Sequence, residues 1–107
     1  MSEPKEQSRA QQLIGDFAPK LAELTDEVLF ADVWERAELS PRDRSLVTVA
    51  ALIANGNTEQ LPSHLNRAKE NGLSETELAE VMTHLAFYVG WPRAISAILV
   101  AKEVFKK

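Results

Sequence analysis

Cysteine is absent from this chain of 107 residues. Without cysteine the chain can form no disulfide, no thiolate metal site and no thiol nucleophile. Redox mechanisms that depend on a protein sulfur nucleophile are therefore excluded.

The chain also lacks an excess of basic residues and a long apolar run. Twelve Lys and Arg against sixteen Asp and Glu give a formal net charge of −4, and the basic residues are scattered, which disfavours nucleic-acid binding. The longest strongly apolar stretch, residues 46–54, is about half of the roughly 20 residues that a membrane-spanning helix requires. The polar start lacks the apolar centre of a signal peptide. We therefore expect a cytoplasmic protein that binds neither nucleic acid nor membrane.

The apolar residues that are present recur at helical spacings, and no segment alternates as a strand does. Hydrophobic residues make up 45% of the chain and charged residues 26%, as is ordinary for a globular protein. We predict an all-α fold of about six helices. Residues 1–9 have no periodic apolar face and are expected to form a poorly ordered leader, and residues 10–107 are expected to form a single domain.

Local signals place the individual helices. Apolar spacing over residues 10–29, interrupted at Pro19, predicts two short helices. Ser40-Pro41 predicts a helix start, and the helix should continue to about Ala54. Its middle is apolar on all sides, which indicates a helix surrounded by protein.

Three more helices are indicated in the second half of the chain. Thr58 is a plausible cap for a helix over 58–71, and Ser74 with Glu77 matches a capping box for a helix over 75–89. The sequence around Gly90 ends that helix and begins the last one. The short connection between 58–71 and 75–89 predicts that these two helices pack as a central antiparallel hairpin.

Several separate blocks of sequence resemble the carboxymuconolactone decarboxylase family. The resemblance extends from about Phe17 to Phe105. The blocks are Asp32-Val33-Trp34, Leu39 to Thr48, Glu59-Gln60-Leu61 with His64-Leu65 and Ala68, Asn71-Gly72, and Tyr88-Val89-Gly90-Trp91-Pro92. The resemblance implies the alkylhydroperoxidase-D-like helical fold, a cofactor-free enzyme, and assembly as a homo-oligomer, typically a trimer or hexamer.

The peroxidase relatives in this superfamily use an acidic residue, two cysteines and a histidine as a relay. With His64 as the anchor, the cysteine positions fall on Asn57 and Gln60 and the acidic position falls on Ser45. Amide side chains form neither a disulfide nor a sulfenic acid. A thiol peroxidase activity is therefore not expected, although the resemblance alone would suggest one.

Decarboxylation of a carboxylated lactone needs a group that binds carboxylate and a group that delivers a proton to carbon. A guanidinium binds carboxylate through two parallel hydrogen bonds, and a histidine transfers protons near neutral pH. The resemblance and this chemistry make His64 and Arg44 the candidate catalytic residues, with Arg42 as a candidate for substrate binding. Each also has a structural interpretation, as a half-buried helical histidine, an ion-paired arginine or a solvated first-turn residue.

Three further residues are candidates for the wall of a substrate pocket. His84 and Tyr88 share a helical face, and Trp34 offers an aromatic surface for the lactone ring. Packing within a core or an interface is the alternative for each of them. Two histidines without a carboxylate at ligand spacing make a poor metal site, so we expect no metal.

Two functions compete at this point. The first is a cofactor-independent carboxy-lyase that acts on a small carboxylated lactone in aromatic-compound catabolism. The second is a non-catalytic helical oligomer that binds a small metabolite or a partner. A shared cavity for His64 and Arg44 would favour the first, and side chains that point away from a shared cavity would favour the second.

Overall fold

The fold was analysed in a computed structural model that describes residues 7–107. It contains six α-helices and no β-strand within these residues, so the prediction of an all-α chain is confirmed. The helices are α1 (Arg9–Ile14), α2 (Pro19–Leu24), α3 (Pro41–Asn55), α4 (Leu61–Glu70), α5 (Glu75–Val89) and α6 (Trp91–Val104). A π-helical turn (Thr25–Phe30) and a 3-10 turn (Val33–Glu35) follow α2.

The described chain falls into two compact units, one ending at Glu38 and the other spanning Leu39–Lys107. Most of the predicted leader, residues 1–6, lies outside the described part, and α1 begins at Arg9 after Ser8. A single domain over residues 10–107 stays a prediction.

In the first unit, α1 and α2 are short helices separated near Pro19, as the apolar spacing predicted. The hydroxyl of Ser8 accepts a hydrogen bond from the amide of Gln11 at 3.0 Å and so caps α1. The same hydroxyl donates to Oδ2 of Asp26 at 2.7 Å, which ties α1 to the π-helical turn. Ala22 is the buried residue of this unit in the part that the structure describes.

In the second unit, local capping defines the helix starts. The hydroxyl of Ser40 accepts from the amide of Asp43 at 3.1 Å, and Pro41 occupies the first turn of α3. Ser74 and Glu77 form the predicted capping box at the start of α5. Both starts therefore follow from residues within one helical turn.

The start of α4 differs from the prediction. Thr58 is not its cap, because Asn57 to Gln60 form a turn in which the amides of Gln60 and Leu61 donate to the carbonyl of Asn57. The helix begins at Leu61, with Pro62 in its first turn. Three residues that were expected to be helical therefore belong to the connection.

The packing pairs also differ from the predicted hairpin. Although α4 and α5 are joined by only a few residues, α4 packs mainly on α3 and α6, while α5 packs mainly on α6 and α3. Consecutive helices on either side of that connection, α3 with α4 and α5 with α6, make the closest pairs. Leu73, in the connection between α4 and α5, is buried in the core together with residues of all four helices.

One apolar cluster holds the second unit together. Its buried members come from α3, α4, α5, α6 and the connection before α5, and they are Val49, Ile53, Leu61, Leu65, Ala68, Leu73, Leu78, Met82 and Ala97. The helix α3 supplies the fully buried Ser45, Val49 and Ile53 along one side, while Val47 on another side is exposed. This chain therefore buries one side of α3, and the prediction of a helix surrounded by protein on all sides stays a prediction for the exposed side.

Candidate functional site

An open groove with a volume of about 460 Å³ lies between α3 and α5. Its floor is apolar, and charged side chains stand along its edge. The lining residues are Arg42, Leu46, Ala50, Leu73, Glu77, Glu80, Val81, His84 and Leu85. The groove brings together Arg42 and His84, two residues that the sequence suggested for substrate binding.

Arg42 lies in the first turn of α3 at one end of the groove. Its Nη2 atom donates a hydrogen bond to Oε2 of Glu77 on α5. Its Nη1 atom is 3.7 Å from Oδ1 of Asp43. The side chains of Arg42 and Glu77 are 41% and 46% exposed, so water competes with this ion pair. Arg42 is therefore a paired cation that remains accessible to a ligand.

Glu77 uses its two carboxylate oxygens for different tasks. Oε1 accepts from the backbone amide of Ser74 at 3.0 Å within the capping box, and Oε2 accepts from Arg42. The hydrogen bond from Ser74 and the charge of Arg42 lower the pKa of Glu77 below its usual value. These contacts therefore favour the ionised form of Glu77.

His84 lies on α5 at the groove, and its ring centroid is 5.0 Å from that of Tyr88. The planes of these rings are tilted by 36°. Tyr88 is 75% exposed, so it continues from His84 as an exposed aromatic surface rather than a core residue. Phe87 and Trp91 form a second, edge-on aromatic pair nearby in sequence, with ring centroids 5.1 Å apart.

Arg44 and His64 belong to different helices and do not line this groove. Arg44 is half-buried on α3 with an enclosed Nε atom, and His64 is half-buried on α4 with an enclosed Nδ1 atom. Asn71 donates to the hydroxyl of Ser45 at 3.0 Å, which places the first turns of α3 opposite the end of α4. Arg44 and His64 therefore lie on two helices that pack against each other.

Trp34 lies in the 3-10 turn of the first unit. It is half-buried, and its ring centroid is 5.8 Å from that of Phe30. Its substrate-binding role stays a prediction.

The positions that correspond to the peroxidase relay have different surroundings. Asn57 and Gln60 are exposed in the turn before α4. Ser45 is fully buried and accepts the hydrogen bond from Asn71. The side chain at the acidic position therefore joins α3 to the end of α4.

Within residues 7–107, no three His, Asp or Glu side chains converge in a way that could hold a metal ion. No helix in this part of the chain is both long and apolar enough to cross a membrane.

Sequence reasoning missed the participation of Glu77 in the groove. The capping box predicted its role at the start of α5, but a carboxylate has a second oxygen whose partner depends on the fold. Arg42 and Glu77 are 35 residues apart in sequence, and only the packing of α3 beside α5 brings them together. No local signal could have indicated that pair.

Two further grooves lie in the second unit. One, of about 500 Å³, runs between α5 and α6 and includes Glu75, Met82, Lys102 and Phe105 in its lining. The other, of about 450 Å³, lies beside Gly56 and Arg93. Neither of them includes a residue that the sequence suggested for substrate binding or catalysis.

Comparison with known proteins identifies the relationship. Residues 19–103 match the model of the carboxymuconolactone decarboxylase family. The chain is 34% identical over 102 residues to 4-carboxymuconolactone decarboxylase from Acinetobacter baylyi, an alignment that covers 95% of this chain and 76% of that protein. It is 35% identical over 81 residues to the nitrosuccinic acid decarboxylase npaB from Metarhizium robertsii, covering 76% of this chain and 57% of that protein. This chain therefore belongs to the carboxymuconolactone decarboxylase family.

Proposed function

We propose that this protein is a cofactor-independent carboxy-lyase that removes carbon dioxide from a small carboxylated lactone in aromatic-compound catabolism. The observation that carries the proposal is the similarity over 95% of the chain to 4-carboxymuconolactone decarboxylase. The second relative is also named as a decarboxylase. The two relatives together support a decarboxylase-type function, and the lactone is our choice of substrate.

The chemistry of the two named substrates supports a mechanism without a cofactor. Loss of carbon dioxide leaves an electron pair on carbon, and a decarboxylase must stabilise that pair until a proton arrives. A lactone can accept the pair, and so can the nitro group of nitrosuccinic acid. The protein then needs only to bind the acid, orient it and supply the proton.

In this proposal, His64 delivers the proton and Arg44 stabilises the negative charge that develops on the lactone. Arg42, Trp34, His84 and Tyr88 bind the substrate. The groove between α3 and α5 supports the assignment of Arg42 and His84, because both line it. Tyr88 extends the same wall through its contact with His84.

The alternative is a non-catalytic helical oligomer that binds a small metabolite or a partner. One observation favours it: His64 and Arg44 are not among the side chains that line the α3–α5 groove. A groove that keeps the binding residues without the candidate catalytic pair fits binding without chemistry.

A homo-oligomer, either a trimer or a hexamer, and a cytoplasmic location complete the proposal. Support for self-association comes from large apolar side chains that this single chain leaves exposed, among them Phe87 and Trp91. Burial of such side chains against a second copy would be favourable.

The test is decarboxylation of 4-carboxymuconolactone by purified protein, followed by ultraviolet absorbance, with His64→Ala, Arg44→Ala and Asn66→Ala measured in parallel. We expect turnover by the original protein and a loss of about 10²–10⁴ in kcat for His64→Ala, the usual contribution of a positioned proton donor. Asn66 is exposed on the same helix as His64, so Asn66→Ala should retain full activity.

Circular dichroism would establish that each variant is folded. Absence of turnover by the folded original protein would reject the lactone decarboxylase and favour the binding function. A peroxide-consumption assay with a thiol reductant should show no rate above background.

A further inference from the structure

We infer that Arg42 recognises the carboxylate of a small acid whose apolar body occupies the α3–α5 groove, and that Glu77 competes with this carboxylate for the guanidinium. The inference rests on the proposed function for the class of ligand, a small carboxylated compound. It adds to that function a role for Glu77, which sets the affinity of the site and carries the same negative charge as the ligand.

The groove has the size and the lining of a small-molecule site. Its volume of about 460 Å³ lies within the roughly 300–1,000 Å³ of typical ligand pockets. Leu46, Ala50 and Leu85 contribute apolar surface, and the buried Leu73 closes the floor. A ligand that fills this space must have an apolar body, and its charged end must lie at the edge.

Arg42 is the arginine at that edge, and its present partners hold it weakly. An ion pair with both side chains nearly half exposed is weak, because water screens the charges. The contact with Asp43, at 3.7 Å, is longer than a good hydrogen bond. A guanidinium has five donors and suits carboxylate better than an ammonium group does. A ligand carboxylate can therefore share Arg42 with Glu77 or replace Glu77.

Glu77 stays in place when Arg42 changes partner. Its Oε1 atom is held by the amide of Ser74 in the capping box, independently of Arg42. The start of α5 therefore remains intact after exchange, and the cost of freeing Arg42 is limited to the exposed ion pair. Glu80 adds a second negative charge along the same wall, which further lowers affinity for an anion.

Removal of the competing charge should tighten the binding of an acid. Glu77→Gln is the useful substitution, because glutamine also serves at this position of a capping box. The matched control is Glu75→Gln, which removes the charge from a similarly exposed pair with Lys69 and lies outside the α3–α5 groove. Arg42→Gln removes the recognising group itself.

The experiment is a titration of the full-length, isotope-labelled protein with benzoate, followed by backbone amide shifts in nuclear magnetic resonance spectra. Benzamide serves as the uncharged ligand of the same shape. We expect benzoate to shift amides around the α3–α5 groove. The Kd for benzoate should fall about two- to fivefold in Glu77→Gln, because the side chain at position 77 no longer competes as an ion-pair partner of Arg42. The Kd should stay unchanged in Glu75→Gln.

In Arg42→Gln the Kd for benzoate should rise about tenfold or more, the usual effect of losing a hydrogen bond to a charged group. Benzamide binding should respond to none of these substitutions. Unchanged benzoate affinity in Glu77→Gln, an equal gain in Glu75→Gln, or shifts that map outside the groove would each overturn the inference.

The outcome of this titration can be distinguished from the outcome of the lyase assay. The expected benzoate pattern without turnover of 4-carboxymuconolactone would support acid binding in the groove and reject the lyase activity. Turnover without benzoate shifts in the groove would support the lyase activity and overturn the inference about the groove.

Discussion

The two units of this chain contain similar apolar helical patterns, but they bury them to different extents. In residues 39–107, nine buried apolar residues form one cluster. In residues 7–38, Leu13, Phe17 and Leu21 are 63%, 92% and 57% exposed, and Ala22 is buried. Periodicity therefore predicts which residues share a helical face, but it does not reveal whether this chain covers that face. Folding stability should reside mainly in the second unit.

The largest expected difference comes from truncating one leucine in each unit. Leu65→Ala removes a fully buried side chain and should lower the free energy of unfolding by about 2–5 kcal/mol. Leu13→Ala removes an exposed side chain and should cost about 0.5 kcal/mol or less. Urea unfolding followed by circular dichroism measures both.

Equal losses in the free energy of unfolding for Leu65→Ala and Leu13→Ala would contradict the proposed difference between the two units. They would show that the apolar face of α1 is buried in solution, as the proposed oligomer allows.

Substitution of the helix caps should give a difference in stability of intermediate size. Ser74→Ala removes the capping box of α5, a helix that contributes Leu78 and Met82 to the core, and should cost about 1 kcal/mol. Ser8→Ala removes the cap of the six-residue α1 and its bond to Asp26. We expect a global loss below about 0.5 kcal/mol, because α1 buries no side chain.

The same unfolding experiment measures the caps, with Ser96→Ala, at an exposed position of α6, as the control. A larger loss for Ser8→Ala than for Ser74→Ala would contradict the assignment of stability to the second unit.

The smallest expected effect is a pH dependence that arises from two carboxylates of the second unit, Glu75 and Glu77. The hydrogen bond from Lys69 lowers the pKa of Glu75, and the hydrogen bond from Ser74 lowers the pKa of Glu77, each from an ordinary value of 4.5. Because both carboxylates hold their protons less tightly in the folded state, their contribution is complete above pH 4.5 and is lost as the pH falls through the lowered values.

Unfolding midpoints measured from pH 6 to pH 3 should therefore decline less steeply in the double variant Glu75→Gln, Glu77→Gln. An identical slope in the original protein and the double variant would show that other carboxylates dominate acid unfolding.

Parts of this fold could be predicted because their causes are local. Ser40, Ser74 and Glu77 cap their helices through amides within one turn, and their sequence positions indicated those helix starts. The prediction that Thr58 caps α4 was wrong, because a residue suited to capping can also lie in a turn. In this turn the carbonyl of Asn57 accepts hydrogen bonds from the amides of Gln60 and Leu61. The π-helical turn after α2 has no local signature that the apolar spacing could reveal.

The candidate site was less predictable because it depends on contacts between distant segments. Arg42 and His84 were suggested separately, and the packing of α3 beside α5 places both in one groove. The pairing of Arg42 with Glu77 has the same origin. His64 and Arg44 were selected through resemblance, which identifies positions in a sequence but does not specify the cavity that each one faces.

Gly90 fixes the spacing of the last two helices. It is the one residue between Val89 and Trp91, and its φ of 97° is a backbone conformation that favours glycine. Ala94 and Ala97 then lie buried on α6. A residue inserted within the first turn of α6 would rotate them by about 100° about the helix axis and replace small buried side chains with larger ones. The length of the connection at Gly90 should therefore be closely constrained.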